Sequence, residues 1–505
     1  MTTRTLRSLA LASLGCTLAG CAVGPNFVKP KPNVPAQWSA TAVANGSEGA
    51  AHATSAPAQT IAWWSSFDDP RLSSLVEQSA AQNLDIKQAV LRIREAQAQA
   101  AVVAGGLWPS LSANTSWSRE RLSTNTPNGA IFGLHFPGLP PTLVNPFNEY
   151  QLGLGASWTL DLFGTARRSI EAANAEMQAA VEGEHAALLS MVSDVAATYI
   201  DLRGAQLQRA ILERSLATQR DLLQLTRDRR NAGLTSDLDV ENATAEVGTT
   251  EAQVPLADRQ ITVDINQLSQ LMAKPPEALR AELGTAQRVP PAPPVVPIGL
   301  PSDLARRRPD IREAEANLHA ATAEIGVAVS NYFPQLTLTA AGGYQSEGLS
   351  ALIETASRFA TLGPAIELPI FEGGRLRTRV RLQRLKAKEA AVVYAQTVLT
   401  ALNQVEDALA AYGSDQSRRA SLQMAVTASR EARLLARQRY QSGVASFIDV
   451  LDAERTEEQN ALALAQANTA VSADLVQLYR ALGGGWQSAP VPLAQQGRAR
   501  AMRMR

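Results

Sequence analysis

The chain of 505 residues repeats itself, because landmarks of its first half recur in the same order in its second half. The matched segments are residues 83–86 with 308–311, 107–109 with 332–334, 158–164 with 366–372, and 231–240 with 441–450. The offset of roughly 210 residues is far longer than a solenoid repeat of 20–50 residues. The sequence therefore predicts an internal duplication, and any fold must accommodate two copies of one large unit.

Each copy has segments typical of β-strands. Apolar side chains occupy the even positions of residues 150–160, and polar residues or glycine occupy the odd ones. A looser alternation is found in residues 110–123, 335–347 and 362–370. A strand of about ten residues can cross a bilayer when tilted. We therefore expect β-hairpins at about 110–161 and 335–371, either in a membrane or half-buried in a soluble protein.

After each hairpin the period changes to that of a helix. No proline occurs from Gly164 to Ala232, and apolar residues recur there at spacings of three and four. The run from Gly374 to Gln441 has the same design. Either run would form a helical rod of ~100 Å that buries only a narrow stripe of side chains along one side, as in a coiled coil. Long helices are expected at 164–273 and 373–482.

The long helices are predicted to end in tight turns. Gly233 and Gly443 stand where a helix end favours a left-handed residue, with arginines in the preceding turns. Return helices then begin with capping boxes, which are Ser236 with Asp239, and Ser446 with Asp449. Both acids therefore have a structural explanation. Asp452 lies beyond the cap, where the first copy has Asn242, and is either functional or part of a solvated helix face.

The N-terminus is typical of a secretory signal. Arg4 and Arg7 precede an apolar run from Leu9 to Leu18 that is too short to span a membrane. The residues Leu18-Ala19-Gly20-Cys21 resemble a bacterial lipobox, whose cysteine receives diacylglycerol and then an N-acyl chain. Three acyl chains would anchor the chain firmly, at ~0.8 kcal/mol per buried CH₂. The alternative is an ordinary cysteine in a signal peptide.

The predicted boundaries follow from these features and from changes in composition. They are a signal peptide at 1–20, an acylated tether at 21–66, the first copy at 67–288, a Pro-rich linker at 289–301, the second copy at 302–486 and a disordered basic tail at 487–505.

Composition excludes several classes of function. The 47 basic and 47 acidic residues leave no net charge, which argues against a nucleic-acid partner. No stretch after the signal approaches twenty apolar residues, so no transmembrane helix is predicted. Aromatic residues are only 5% of the chain, so we expect thin helical packing without a large aromatic core.

Catalytic and metal-binding motifs are missing from the sequence. Its histidines, which are His52, His135, His185 and His319, show no metal-ligand spacing, and no Gly-x-Ser-x-Gly motif occurs. Removal of Cys16 with the signal and acylation of Cys21 would leave no thiol. We therefore expect neither an enzyme nor a metal or cofactor site, only the covalent diacylglycerol and N-acyl lipid on Cys21.

Four strands per chain cannot close a barrel. An open sheet edge in lipid leaves backbone groups unpaired, at several kcal/mol each. Because even-stranded barrels begin at eight strands, two, three or four copies would satisfy this requirement.

The sequence resembles outer-membrane factors of the TolC type, in the NodT-like lipoprotein branch that serves RND efflux systems. The resemblance is carried by Cys21-Ala22-Val23-Gly24-Pro25-Asn26-Phe27, Trp63-Trp64-Ser65-Ser66-Phe67 with Asp69-Pro70, Arg307-Arg308-Pro309-Asp310-Ile311-Arg312, Ile325-Gly326-Val327-Ala328, Tyr332-Phe333-Pro334 and the Gly443-Val444 tip. It implies an α+β fold in which a homotrimer closes a 12-strand β-barrel and a 12-helix α-barrel.

The resemblance also implies a function. The protein would be the outer-membrane duct of a tripartite system, exporting small molecules such as drugs, with a periplasmic adaptor (membrane fusion) protein and an inner-membrane RND pump as partners. By resemblance, Ile448 and Asp452 form the periplasmic gate, to which we add the adjacent Asp449. The adaptor would contact the tips at Gly233, Leu234, Gly443 and Val444. The alternative is a structural coiled-coil envelope lipoprotein without channel activity.

Overall fold

The structure is a computed structural model that describes residues 22–31, 34–39, 52–54, 56, 61–127, 130, 145–293 and 295–488. The predicted signal peptide, the predicted acylation site Cys21 and nearly all of the predicted basic tail lie outside these residues. No helix in the described part of the chain is both long enough and apolar enough to span a membrane.

Helices form most of the described chain. The α-helices are α1 (Pro70–Gln82), α2 (Leu84–Gly105), α3 (Thr165–Asn231), α4 (Asp237–Leu271), α5 (Arg280–Leu283), α6 (Leu304–Arg307), α7 (Pro309–Ser330), α8 (Arg375–Gln441) and α9 (Phe447–Ala481). Short 3₁₀ helices occupy Trp63–Phe67, Pro301–Asp303, Leu349–Ala351, Thr355–Ser357 and Trp486–Ser488. The strands are β1 (His52–Thr54), β2 (Ser110–Glu120), β3 (Phe147–Leu160), β4 (Val295–Pro297), β5 (Gln335–Ser346) and β6 (Arg358–Glu367).

The element lengths confirm the duplication. Helices α2 and α7, which precede the two hairpins, each have 22 residues. The long helices α3 and α8 each have 67, and the return helices α4 and α9 each have 35. The order helix, hairpin, long helix, return helix therefore occurs twice, and the predicted α+β class is confirmed.

The two hairpins join in one antiparallel sheet. Its order is β2-β3-β5-β6, and β3 pairs with β5 through residues Tyr150–Leu160 and Leu336–Ser346. This register keeps the apolar faces of both hairpins on the same side of the sheet, whereas a slip by one residue would place them on opposite sides.

The chain forms two compact units, and each takes segments from both copies. One unit contains Ala96–Met177, Asn317–Ala391 and the described residues before Lys29, including the four-stranded sheet. The other contains Gln178–Ala316, Val392–Arg505 and Lys29–Glu95, as far as these are described. The units therefore do not coincide with the two sequence copies.

An aromatic core in the second unit corrects the expectation of thin helical packing. The fully buried Trp63 ring stacks on Tyr479 at 5.0 Å between centroids, and its Nε1 donates to the Gly484 carbonyl. Phe67, Tyr199 and Leu475 belong to the same buried cluster. The aromatic residues are few, but many of them are concentrated here.

The segments predicted as a tether and a linker also pack into this core. Trp38 is buried, and its Nε1 donates to the Gly299 carbonyl at 3.0 Å. Strands β1 and β4 pair in parallel, and Val296 and Ile298 are fully buried. Burial of these apolar side chains stabilises segments whose sequence has no period.

Candidate functional site

The four-stranded sheet has one apolar face. Because side chains alternate across a strand, the observed register places the even positions of β3 on the same side as the even positions of β5 and β6. This face comprises Leu111, Ala113, Thr115, Trp117, Tyr150, Leu152, Leu154, Ala156, Trp158, Leu160, Leu336, Leu338, Ala340, Gly342, Tyr344, Ala360, Leu362, Pro364 and Ile366, with the polar residues Arg119, Asn148, Ser346 and Arg358 at the end near Trp117 and Tyr150. Leu362 is 83% exposed and Ile366 is 72% exposed. An apolar surface of this extent requires lipid or a protein partner.

The opposite face is polar or small. It comprises Ser110, Ser112, Asn114, Ser116, Ser118, Gln151, Gly153, Gly155, Ser157, Thr159, Gln335, Thr337, Thr339, Ala341, Gly343, Gln345, Thr361, Gly363 and Ala365, with Phe147, Phe359 and the acids Glu120, Glu149 and Glu367. Hydroxyls on this face bond across the strands, as between Thr159 and Thr337 at 3.2 Å. Such a face suits water, so the sheet can separate lipid from an aqueous space.

Aromatic side chains mark both ends of the apolar face. Trp117 and Tyr150 lie 6.4 Å apart between ring centroids at one end, where Tyr344 also lies. At the other end the Trp158 Nε1 donates to the Leu107 carbonyl at 2.9 Å. Tyr150 and Trp158 are eight residues apart, about 26 Å along a strand. A tilt of ~40° leaves a height of roughly 20 Å, near the ~25 Å band of outer-membrane proteins.

The sheet ends in two open edges. Strands β2 and β6 are the outermost, and neither has a second partner among the described strands. Neighbouring strands are antiparallel throughout, so β2 and β6 run in opposite directions. The β6 edge of one chain is therefore compatible with antiparallel pairing to the β2 edge of another.

The predicted ends of the long helices are confirmed. Gly233 and Gly443 adopt φ angles of 71° and 77°, in the left-handed region. The amide of Leu234 donates to the Arg229 carbonyl at 2.8 Å, which closes the last turn of α3. Val444 makes the equivalent bond at the end of α8. Leu234 and Val444, both predicted adaptor contacts, are exposed.

The return helices begin with the predicted capping boxes. In α9, the Ser446 hydroxyl accepts from the Asp449 amide, and Asp449 accepts from the Ser446 amide at 2.9 Å. The Ser446 hydroxyl also donates to Asp449 Oδ2 at 2.9 Å, and this hydrogen bond together with the one from the Ser446 amide lowers the pKa of Asp449. Asp239 makes the same box with Ser236 in α4. Asp449 is thus engaged in local structure.

The other two predicted gate residues share an exposed stripe of α9. Ile448 is 51% exposed, and Asp452 is exposed one helical turn later. The opposite side of this turn is buried, with Phe447 and Val450 in a small apolar cluster. The structure therefore leaves Ile448 and Asp452 available to contact another copy.

The segment after the predicted acylation site is held by contacts that sequence reasoning did not identify. The buried Arg168 donates through Nε to the Val23 carbonyl at 3.2 Å and through Nη2 to Asn26 Oδ1 at 2.7 Å. Phe27 stacks on His319 at 4.4 Å. The only sequence signal was the motif around Phe27, which gave no partner for it.

The described residues contain no group of three or more His, Cys, Asp or Glu side chains that could hold a metal ion.

The chain is similar to known proteins along most of its length. The model of the outer membrane efflux protein family matches residues 75–274 and 300–484. Nodulation protein T of Rhizobium leguminosarum bv. trifolii is 31% identical over 484 residues, covering 95% of this chain and 97% of that protein. Outer membrane protein OprJ of Pseudomonas aeruginosa is 31% identical over 474 residues, covering 94% of this chain and 95% of that protein.

Solved structures give the same result. The outer-membrane channel OprN has a TM-score of 0.82 at 35% identity and covers 92% of this chain and 100% of its own. The open state of the Neisseria gonorrhoeae MtrE outer membrane channel has a TM-score of 0.75 at 29% identity and covers 93% of this chain and 99% of its own.

Proposed function

Because the chain belongs to the outer membrane efflux protein family, we propose that three copies form the exit duct of an RND-type efflux system. The protein is an efflux component of the Gram-negative outer membrane with a periplasmic extension, as its family and relatives indicate. The single observation that carries the proposal is the sheet with one apolar face, one polar face and two open edges.

Closure of the sheet explains why several copies are needed. Each chain supplies four strands, so three copies give a 12-strand barrel in which every edge is paired. The apolar face would contact lipid, and the polar face would line water. Helices α3, α4, α8 and α9 of each copy would form the 12-helix barrel. Solute then passes outward without entering the membrane.

The tips would provide the gate. Three copies of Ile448 around one axis would form an apolar constriction, and three Asp452 carboxylates would repel one another. Because of this repulsion, the closed ring would be only weakly stable. An adaptor protein bound at Gly233, Leu234, Gly443 and Val444 would separate the tips and open it. Asp449, occupied by its capping box, would stabilise the turn that positions the ring.

The N-terminal lipid would anchor each copy. We assign the diacylglycerol and the N-acyl chain to Cys21. The contacts of Arg168 and His319 to the next residues support this assignment, since they hold the segment that carries the anchor.

Single-channel recording tests the proposal. Purified protein in planar bilayers is expected to conduct weakly, and Ile448→Ala with Asp452→Ala is expected to increase the conductance. Leu238→Ala with Asn242→Ala, at the matching positions of the first copy, is the control and is expected to have little effect. Unchanged conductance in the first variant would refute the gate, and no conductance in any variant would refute the channel.

A further inference from the structure

The carboxylate of Glu454 in α9 is buried without a hydrogen-bond partner. Its side chain is 5% exposed, and neither carboxylate oxygen is accessible or accepts a hydrogen bond within the described chain. An ionised carboxylate in this condition is strongly destabilising, because it has lost water and gained no donor. The position needs a donor that the neighbouring side chains do not supply.

The polar groups around Glu454 come from four helices, and several of them are engaged with other side chains. Arg433 and Arg430 of α8 pair with Glu457, Arg455 pairs with Glu246 of α4 at 2.6 Å, and Gln219 of α3 donates to Glu458 at 3.0 Å. Arg214 of α3 also lines the same space, and Arg437 of α8 acts on Glu454 electrostatically. We call these residues and Glu454 the polar layer. It connects α3, α4, α8 and α9.

A small cavity adjoins Glu454. It has a volume of about 80 Å³ and is lined by residues of α3, α8 and α9, including Glu454 and Gln219. Gln219 Oε1 is also buried without a donor. All of these unsatisfied atoms are hydrogen-bond acceptors, so the missing partner must be a hydrogen-bond donor. Burial raises the pKa of Glu454 to about 7, so a proton on the carboxyl itself can fill this role near neutral pH.

We propose that Glu454 is a proton-binding switch, which fastens α9 to the polar layer when protonated and loosens the tip when ionised. Ionisation requires new donors, and these are obtained by drawing Arg433 from Glu457 or by admitting water to the cavity. Either change weakens the packing of the helix that carries Ile448 and Asp452 in its preceding turns. The part of this inference that concerns opening rests on the proposed channel function.

Hydrogen exchange of the intact protein tests the switch without using conductance. An acid whose pKa rises from 4.5 to about 7 on folding loses its stabilising effect as pH increases toward the higher value. Between pH 6 and pH 8, protection of the α9 amides around residue 454 should fall about tenfold beyond the intrinsic rate change. In Glu454→Gln, which carries no titrating proton, the fall should be absent. Glu431→Gln, an exposed carboxyl on α8, is the control and should behave as wild type.

Conductance gives the second measurement. Wild type should open more readily at pH 8 than at pH 6. At both pH values, Glu454→Gln should open only as readily as wild type does at pH 6. If hydrogen exchange in Glu454→Gln depends on pH in the same way as in wild type, the proposed switch is wrong. If exchange behaves as expected and no variant conducts at either pH, the fastening is supported and the channel proposal fails. If wild type and Glu454→Gln conduct with the same pH dependence, the coupling to opening is wrong.

Discussion

A pair of arginine substitutions at neighbouring positions tests which face of the sheet meets lipid. Ala113 lies on the apolar face and pairs with Leu154, which is four residues from Tyr150 and four from Trp158. The site is therefore midway between the two aromatic ends, about 13 Å from each along the strand. Arginine at the midplane of an outer-membrane strand costs about 2–4 kcal/mol. Ala113→Arg should thus reduce the folding equilibrium constant in lipid roughly 30- to 900-fold.

Asn114 supplies the matched control, since it lies at the same depth on the polar face and pairs with Gly153. Asn114→Arg places the same charge in water, so we expect a change within ~0.5 kcal/mol. Urea titration of both variants in lipid vesicles, followed by tryptophan fluorescence and by migration of unheated samples, measures the difference. Equal destabilisation by the two variants, or greater destabilisation by Asn114→Arg, would refute the assignment of the faces.

Two further predictions concern single residues outside the sheet. Burial raises the pKa of Asp264 to about 6 from 3.8, so wild type loses stability as pH rises between these values, and Asp264→Asn should gain up to about 3 kcal/mol relative to it above pH 6. Chemical denaturation from pH 4 to pH 8 measures this gain, and a difference that does not vary with pH would contradict it. Gly24→Ala should release the N-terminal segment, because a Cβ there would lie 2.5 Å from Gly326 Cα at a φ of 95°. Limited proteolysis should cut this variant faster than wild type and Gly248→Ala, whose Cβ would meet nothing within 4 Å, and equal rates would contradict the prediction.

The elements with a regular period could be predicted from sequence. The alternation over residues 150–160 corresponds to β3, which spans Phe147–Leu160. The proline-free run from Gly374 to Gln441 corresponds to α8, which spans Arg375–Gln441. The left-handed glycines and the capping boxes were also predictable, because they depend on residues close together in the chain. Local chemistry determines such features.

Contacts between distant segments could not be predicted. Trp63 donates to a carbonyl 421 positions away in the chain, and Trp38 to one 261 positions away. Neither residue lies in a periodic segment, so nothing in the sequence indicated that the predicted tether would pack. Glu454 was missed for a related reason. Acids on a coiled-coil helix usually face solvent, and its burial depends on the placement of α3 and α8.

The proposed gate requires Ile448 and Asp452 to contact other copies, which a single chain cannot provide. Both lie on the exposed stripe of α9. Their role as a gate depends on the assembly and stays a proposal.

Thiol labelling during single-channel recording tests the central claim, which is that the polar face lines a water-filled duct. A bulky, charged thiol reagent added to a conducting Asn114→Cys assembly should reduce the conductance in steps, one for each copy. The same reagent should leave Ala113→Cys and wild type unchanged. Block of Ala113→Cys with none in Asn114→Cys would contradict the account.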